Sequence, residues 1–391
     1  MPRALYLLLL AIPGALVAAA LNAPPLVTFL LAALAIVPLA GLIGVATEGL
    51  TERVGPLAGG LLNATFGNAA EFIIGLSALA AGLPGVVRAS IAGAIIANSL
   101  FALGAAMLVG GWRYGLQRFQ ARNAGQYSLM LTLAVIGLAV PSLLATIGNG
   151  LATDNVSGLS LHEMSYIVAA LLLVSYGGYI AFSVFGLRAE RREPDAPRSG
   201  DTSASIVVEV EHEDLIPLED GKQGKQDGLA ARVAQWRRRG PWLDVVTLVV
   251  ATALVAVVSE SLTGAIEPLT SELHLSGFFV GLIVLPLVGG AAEFSSALRA
   301  ALRDNMETAL AIAAGSSIQI PLLVAPLLIL AGPLVGHPLD LDFTLLELAI
   351  FGLVAGVFAI ISLDGESTWL EGLQLLVFFL IVAVGSFFVP R

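Results

Sequence analysis

Long apolar runs restrict the fold of this chain more than any other feature of its sequence. They are about 17 to 27 residues long and are separated by short segments that carry most of the charged residues. A helix of that length crosses a hydrocarbon core of roughly 30 Å. The pattern therefore predicts an all-α integral membrane protein.

The composition is also that of a membrane protein. Hydrophobic residues make up 57% of the chain and charged residues only 12%, whereas about a quarter of the residues in a soluble domain are charged. The formal net charge of −10 says little about partners, because many of the acidic residues lie in one polar segment. The lack of cysteine in the sequence excludes disulfides, iron–sulfur clusters and thiolate metal sites.

Eleven apolar runs can be distinguished, and we expect each to form a transmembrane helix. The first run follows a basic residue, but no cleavage site followed by a soluble domain is recognisable. We therefore predict a retained helix rather than a signal peptide. The eleven predicted helices span residues 4–20, 25–49, 56–82, 87–111, 126–145, 163–187, 243–266, 276–301, 306–332, 343–362 and 367–389.

The basic residues predict how these helices are oriented. With a cytoplasmic N-terminus, all but two of the 19 Lys and Arg residues fall in cytoplasmic segments, the exceptions being Arg88 and Arg391. The bias comes from several separate loops. We therefore expect an integral protein of the prokaryotic cell (inner) membrane with its N-terminus in the cytoplasm.

A polar segment, residues 188–242, divides the apolar runs into two groups. It is rich in Pro, Gly, Ser and charges of both signs, which predicts a cytoplasmic, partly disordered linker. Its acidic residues either form a solvated face or bind a regulatory cation, and they lack the Asp-x-Asp-x-Asp-Gly spacing of a compact calcium loop. The candidates for that regulatory site are Glu209, Glu211, Glu213 and Asp214.

Two short motifs occur twice, in the same order, on either side of this linker. TEGLT at 47–51 resembles SESLT at 259–263, and GNAAE at 67–71 resembles GGAAE at 289–293. The distance from each motif glutamate to a later glycine, Gly93 or Gly315, is also the same. The sequence therefore contains an internal repeat.

Each repeat holds five predicted helices, and the first helix of the chain is an extra one. Because five is odd, the second repeat enters the membrane from the opposite side, as in the inverted repeats of secondary transporters. The predicted organisation is an extra N-terminal helix (1–22), a first five-helix repeat (23–187), the linker (188–242) and a second five-helix repeat (243–391).

The second motif places a glutamate near the middle of an apolar run in each half, Glu71 and Glu293. Such a carboxylate costs about 2.5–3.5 kcal/mol on insertion scales, so it is expected to face a cavity, a partner or an ion. Side chains with oxygen atoms surround both glutamates, and a hard divalent cation such as calcium prefers six to eight oxygens. The sequence therefore predicts a metal site on Glu71 and Glu293, with a polar lining of Asn68, Ser90, Asn98, Ser316, Ser317 and Gln319.

Other polar residues in the apolar runs have simpler interpretations. A serine there often only bonds the backbone of its own helix, and Glu347 is interpreted as a packing or snorkelling residue. Glu48 and Glu260 lie nearer the ends of their runs, where gating, structural support and ion contact all remain open. An intramembrane enzyme is disfavoured, because the four His residues fall in loops or at helix ends and no Asp lies mid-span.

At these residues the chain resembles the cation/proton exchangers (CAX) of the calcium/cation antiporter superfamily, over nearly its whole length. The resemblance implies eleven helices arranged as one plus five plus five, and exchange of calcium for protons. It also implies that Glu71 and Glu293 hold these ions in turn beside Asn68, Ser317 and Gln319, and that Glu48 and Glu260 lie on moving gate helices. The similar strings are GGLLNATFGNAAEFIIGLSAL, ASIAGAIIANSL, FFVGLIVLPLVGGAAEF and ALAIAAGSSIQIPLLVAP.

Three positions depart from the pattern of that family. Its second motif usually reads Gly-Asn-Ala-Ala-Glu-His, whereas this chain has Gly290 and Phe294 in place of the Asn and the His. A serine that is common after Gly93 is replaced by Ala94. These changes concern cation selectivity and affinity more than the fold, and Gly290→Asn is expected to restore an amide ligand.

Competition for shared carboxylates gives a simple mechanism. Two ionised glutamates attract a divalent cation, and without that cation their mutual repulsion favours proton binding. The expected function is calcium/proton antiport by alternating access, with calcium and protons as transported ions, the lipid bilayer as surroundings, and neither a cofactor nor nucleic acid. A sodium/calcium exchanger is the nearest alternative, and a cation channel or an intramembrane enzyme is more distant.

Overall fold

The computed structural model describes residues 8–151, 161–185 and 240–389, and most of these residues are helical. The predicted linker, with its four candidate regulatory acids, lies almost entirely outside the described residues. The helices are α1 Ala11–Ala20, α2 Pro25–Phe66, α3 Ala69–Ala80, α4 Pro84–Tyr114, α5 Ala121–Leu151, α6 Leu161–Phe185, α7 Pro241–Glu272, α8 Gly277–Gly289, α9 Ala291–Ala301, α10 Met306–Val335, α11 Leu345–Ile361 and α12 Trp369–Phe387.

The lengths of these helices identify an integral membrane protein. Seven helices in the described part of the chain, α2, α4, α5, α6, α7, α10 and α12, are long and apolar enough to cross a bilayer. The pair α8 and α9 forms one further span that is bent by 57°. Three shorter apolar helices, α1, α3 and α11, fall in the remaining predicted runs. Each of the eleven apolar runs thus contains a helix.

The turn predicted between the second and third runs is itself helical. α2, which is 42 residues long, continues through this turn without a break. The Thr51 hydroxyl nevertheless donates to the Gly59 carbonyl oxygen at 3.3 Å, although eight residues of a straight helix advance about 12 Å. α2 is therefore sharply bent between these residues. A Cβ on Gly59 would lie 2.5 Å from the Thr51 methyl group, so the bend requires glycine there.

Each GxAAE motif interrupts a helix just before its glutamate. Gly67 and Asn68 separate α2 from α3, and Gly290 separates α8 from α9. Glycine tolerates the irregular backbone that such a break needs. The predicted helices 56–82 and 276–301 are therefore each divided into two, which differs from the expected single spans.

Three wider turns of π-helix lie inside the long spans, at Ala97–Ala102, Val280–Val284 and Ile320–Val324. Such turns are frequent at functional sites. The turn in α8 packs directly on α4. A Cβ on Gly93 would lie 2.0 Å from the Leu282 carbonyl oxygen, and a Cβ on Gly281 would lie 2.6 Å from the Val86 carbonyl oxygen. The two helices therefore cross backbone to backbone, as small residues allow in membranes.

Polar contacts join the loops at one end of the helices. The two-residue strands β1 Gln117–Arg118 and β2 Glu366–Ser367 pair antiparallel. Gln117 also donates through Nε2 to the Asp304 Oδ1 at 2.8 Å, and the Glu307 carboxylate accepts from the Gln120 N–H at 2.6 Å. These hydrogen bonds connect the loops that follow α4, α9 and α11.

A second set of contacts joins loops at the other end. The Ser142 hydroxyl donates to the Leu341 carbonyl oxygen at 2.7 Å, and the Leu341 N–H donates to Ser165 Oγ at 2.9 Å. The His162 Nδ1 lies 2.6 Å from the Asp340 Oδ1. Segments from both halves of the chain therefore meet at each end of the bundle.

The two long helices α2 and α7 pack along each other. An ion pair joins them, with Arg53 3.2 Å from the carboxylate of Asp244. Asp244 is buried, and a Cβ on Gly49 would lie 3.0 Å from its Oδ2. The small residue thus allows the carboxylate to lie against α2.

Candidate cation-binding site

Both motif glutamates lie in the first turn of a short helix, Glu71 in α3 and Glu293 in α9. The free N–H groups and the dipole of a helix N-terminus favour negative charge at this position. Both carboxylate oxygens of Glu71 and the Oε2 of Glu293 are buried, and they accept no hydrogen bond from the described residues. Buried carboxylates of this kind require a proton or a cation.

The two helix breaks face each other. A Cβ on Gly289 would lie 3.2 Å from the Glu71 Cγ and 3.7 Å from its Oε1, so the side chain of Glu71 contacts the break between α8 and α9. Glu293 is also close enough to Glu71 for the two carboxylates to repel each other. The structure therefore brings the two predicted acids together from distant parts of the sequence.

A small cavity lies beside Glu71. Its volume is about 10 Å³, which is roughly the space of one water molecule. Ser90 of α4 lines it together with apolar residues of α3, α4 and α10. The space beside Glu71 is thus too small for more than about one water molecule.

Amide side chains supply further oxygen atoms. The Asn68 Nδ2 donates to the Gln319 Oε1, and the Asn98 Nδ2 donates to the Ala94 carbonyl oxygen at 3.0 Å. The Oδ1 atoms of Asn68 and Asn98 are both buried and accept no hydrogen bond from the described residues. Carboxylate and amide oxygens are the ligands that calcium prefers, so these side chains suit a hard cation as substrate.

The two predicted serines of α10 are Ser316 and Ser317, and Ser317 differs from the amides because its hydroxyl is hydrogen-bonded. Ser317 donates to the Ala313 carbonyl oxygen at 2.9 Å and lies 2.9 Å from the Ser99 hydroxyl, so its bonds tie α10 to α4. Ser316 is buried. The arrangement of Ser317 matches the packing alternative for an intramembrane serine. Ser99, its partner, was not singled out by the sequence.

The acids of the first motif are not drawn into the site. Glu48 and Glu260 are both exposed, while the preceding residues, Thr47 and Ser259, are at most 1% exposed. Their hydroxyl oxygens find no hydrogen-bond partner among the described residues. Sequence reasoning missed this pair, although a hydroxyl residue precedes the glutamate in both copies of the motif.

The Phe294 ring lies against Gly290, the position at which the family pattern has an Asn. A Cβ on Gly290 would lie 2.7 Å from the Phe294 Cζ and 3.0 Å from the Pro286 carbonyl oxygen. The Phe294 ring also contacts the Phe101 ring edge to face, with centroids 5.4 Å apart, and Phe101 contacts Phe379. Gly290→Asn, which was expected from the sequence to restore an amide ligand, would therefore require the Phe294 ring to move.

The family of the chain follows from comparison with known proteins. The model of the sodium/calcium exchanger protein family matches residues 24–185 and 243–388. The chain belongs to this family. Among the proteins that it resembles is a Ca²⁺/H⁺ antiporter of Aphanothece halophytica, which is 37% identical over 98% of this chain and 96% of that protein.

Two further proteins resemble the chain over most of its length. A Ca²⁺/H⁺ antiporter of Synechocystis sp. is 38% identical over 93% of this chain and 91% of that protein. The solved structure of native YfkE is 28% identical, covers 99% of this chain and 100% of its own, and superposes with a TM-score of 0.76. The resemblance to cation/proton exchangers is thereby confirmed.

Proposed function

We propose that this protein exchanges calcium for protons across a membrane by alternating access. The observation that carries the proposal is the pair of buried carboxylates on Glu71 and Glu293, which meet at two helix breaks. The names of the Aphanothece and Synechocystis relatives support calcium and protons as the ions. The ions are substrates, and the proposal needs neither a cofactor nor an enzymatic step.

The chemistry follows from the charge of the pair. Two ionised carboxylates balance one divalent cation, and once it leaves they are costly to enclose unless protons replace it. Only the neutralised forms then pass through the occluded state, which couples the two fluxes. Asn68 and Asn98 add neutral oxygens to the shell, and Ser90 adds a hydroxyl beside Glu71.

We propose eleven membrane-crossing helices, one plus two inverted repeats of five. The paired helix breaks and the related TEGLT and SESLT motifs support the repeat. The sharp bend in α2 supports two crossings from its one continuous helix. The boundaries proposed for the two repeats remain 23–187 and 243–391, joined by the linker.

We also propose that the N-terminus is cytoplasmic and that the protein lies in a prokaryotic cell (inner) membrane. The bias of Lys and Arg supports this sidedness. The loop contacts support the division of the segments between two faces, because β1 and β2 pair and both belong to segments assigned to the cytoplasm. The segments around His162 and Asp340, both assigned to the opposite face, also contact each other. In this arrangement α2 and α7, with Glu48 and Glu260, are the gate helices.

The test is counter-ion dependence of calcium flux in proteoliposomes. A proton gradient should drive calcium uptake, and Glu71→Gln and Glu293→Gln should each reduce that uptake by at least about a hundredfold, because one carboxylate cannot balance a divalent cation. Glu267→Gln is the matched control, since Glu267 is exposed at the end of α7 and should leave flux unchanged. Retained uptake in a normally folded Glu71→Gln or Glu293→Gln variant would remove that residue from the site.

The same assay separates the alternatives. Replacing the proton gradient by a sodium gradient should drive little calcium uptake, whereas a sodium/calcium exchanger would respond to sodium instead. A channel would pass calcium without any counter-ion gradient. Each result is read from the same vesicles, so protein orientation and amount do not differ between arms.

A further inference from the structure

A second cavity, much larger than the one beside Glu71, opens among the loops at the His162 end of the bundle. Its volume is about 380 Å³. The walls come from the loop before α4, the start of α8, and the segment that leads into α11. The lining residues include three charged side chains, Arg88, Asp342 and Glu347.

Glu347 was interpreted from sequence as a packing or snorkelling residue, and the structure gives it two contacts of a different kind. Its Oε2 accepts from the Thr344 N–H at 2.7 Å and from the Thr344 hydroxyl at 2.9 Å, which caps α11. The residue is only 3% exposed, yet it lines the cavity. Its other oxygen, Oε1, accepts no hydrogen bond from a described residue.

Arg88 and Asp342 face this carboxylate. Both lie close enough to Glu347 to act on its charge. Within the part of the chain that the structure describes, Arg88 forms no ion pair shorter than 4.0 Å. The cavity therefore holds two carboxylates and one guanidinium, for a net charge of about −1 when all three are ionised.

The cavity lies directly next to the central site. Val86 and Arg88 of α4 line it, whereas Val87 and Ser90 of the same helix line the small cavity beside Glu71. The two cavities share no lining residue. The two cavities thus lie on different faces of the first turns of α4.

We propose that the loop cavity is a second, low-affinity site for a divalent cation, held by Asp342 and Glu347. The Arg88 guanidinium competes with the cation for these two carboxylates, so that the cation is attracted but also released. This proposal rests on the proposed function, because the loop cavity would serve ions that travel to or from Glu71 and Glu293. Weak binding is required of such a station, since an ion must leave it as readily as it enters.

The test is equilibrium binding of calcium-45 to purified protein in which the central site is disabled by Glu71→Gln and Glu293→Gln. We expect residual binding at about one site, with affinity near the millimolar range of weak extracellular calcium sites. Adding Asp342→Asn and Glu347→Gln should lower the residual binding by about one site. Glutamine also serves at the third position of a capping box, so α11 should keep its cap. Arg88→Gln should tighten the residual site by about threefold or more.

The matched control is Asp364→Asn with Glu371→Gln, which also removes one Asp and one Glu carboxylate, from the loop before α12 and from its first turn. Glu371 caps that helix from Thr368 as Glu347 caps α11 from Thr344, but neither control residue lines the cavity. Absence of residual binding, or residual binding that Asp342→Asn with Glu347→Gln leaves undiminished, would overturn this second site. Failure of the proposed function appears separately, as continued exchange by the central variants.

Discussion

At the scale of single residues, Gly290 and Phe294 act as a pair. The ring of Phe294 lies over Gly290 and is held from the other side by Phe101. The corresponding residues of the first motif are Asn68 and Phe72, and there the amide bonds Gln319 instead. The amide is therefore not simply missing from the second motif, because an aromatic ring occupies its place.

This pairing changes what Gly290→Asn should do. The new side chain would meet the Phe294 ring at 2.7 Å, so the single variant should lower folding stability by about 1–3 kcal/mol and should not tighten calcium binding. Adding Phe294→Ala makes room, and only the double variant should gain calcium affinity. Thermal midpoints and calcium-dependent transport check both statements. A stable single variant with tighter calcium binding would show that the ring moves away easily.

At the scale of helices, the crossing of α4 and α8 depends on closely packed glycines, of which Gly93 makes the tightest contact. A Cβ on Gly93 would lie 2.0 Å from the Leu282 carbonyl oxygen, and a backbone atom cannot move aside as a side chain can. Gly93→Ala should therefore force the helices apart and cost about 1–3 kcal/mol or more of folding stability, together with transport.

Gly315 provides the matched control for that substitution. It follows Glu293 at the same distance at which Gly93 follows Glu71, but a Cβ there meets nothing within 4 Å. Gly315→Ala should leave the free energy of unfolding within about 0.5 kcal/mol of that of the unmodified protein. Equal loss in both variants would mean that helix flexibility, and not the close crossing, explains the glycine at position 93.

At the scale of the whole molecule, the ion pair between Arg53 and Asp244 joins the two halves through α2 and α7. Arg53→Ala leaves a buried carboxylate without this partner and should cost about 1–3 kcal/mol. The double variant with Asp244→Asn should recover part of that loss, as a double-mutant cycle would measure. Arg118→Ala is the control, because its pair with Glu366 is exposed and should contribute about 0–1 kcal/mol.

Much of this architecture could be predicted from sequence, because lipid imposes strong local rules. Apolar runs located the helices, and a glutamate within such a run identified both Glu71 and Glu293. The bend at Thr51 and Gly59 could not be predicted, since it depends on a contact that periodicity does not encode. The Phe294 ring over Gly290 and the cavity at Glu347 depend on neighbours far along the chain. The sequence offered only packing or snorkelling for Glu347, because the walls of its cavity come from three separate segments.

The hydrogen bond between Asn68 and Gln319 also bears on how the two halves evolved. Gln319 lies 26 residues after Glu293, and the residue 26 positions after Glu71 is Ala97. The mirror-image pair is therefore Gly290 with Ala97, which cannot form such a bond. If the halves arose by gene duplication, each has since kept only one member of the pair. Two copies of either half alone would lack the bond. Neither half can therefore replace the other at this position.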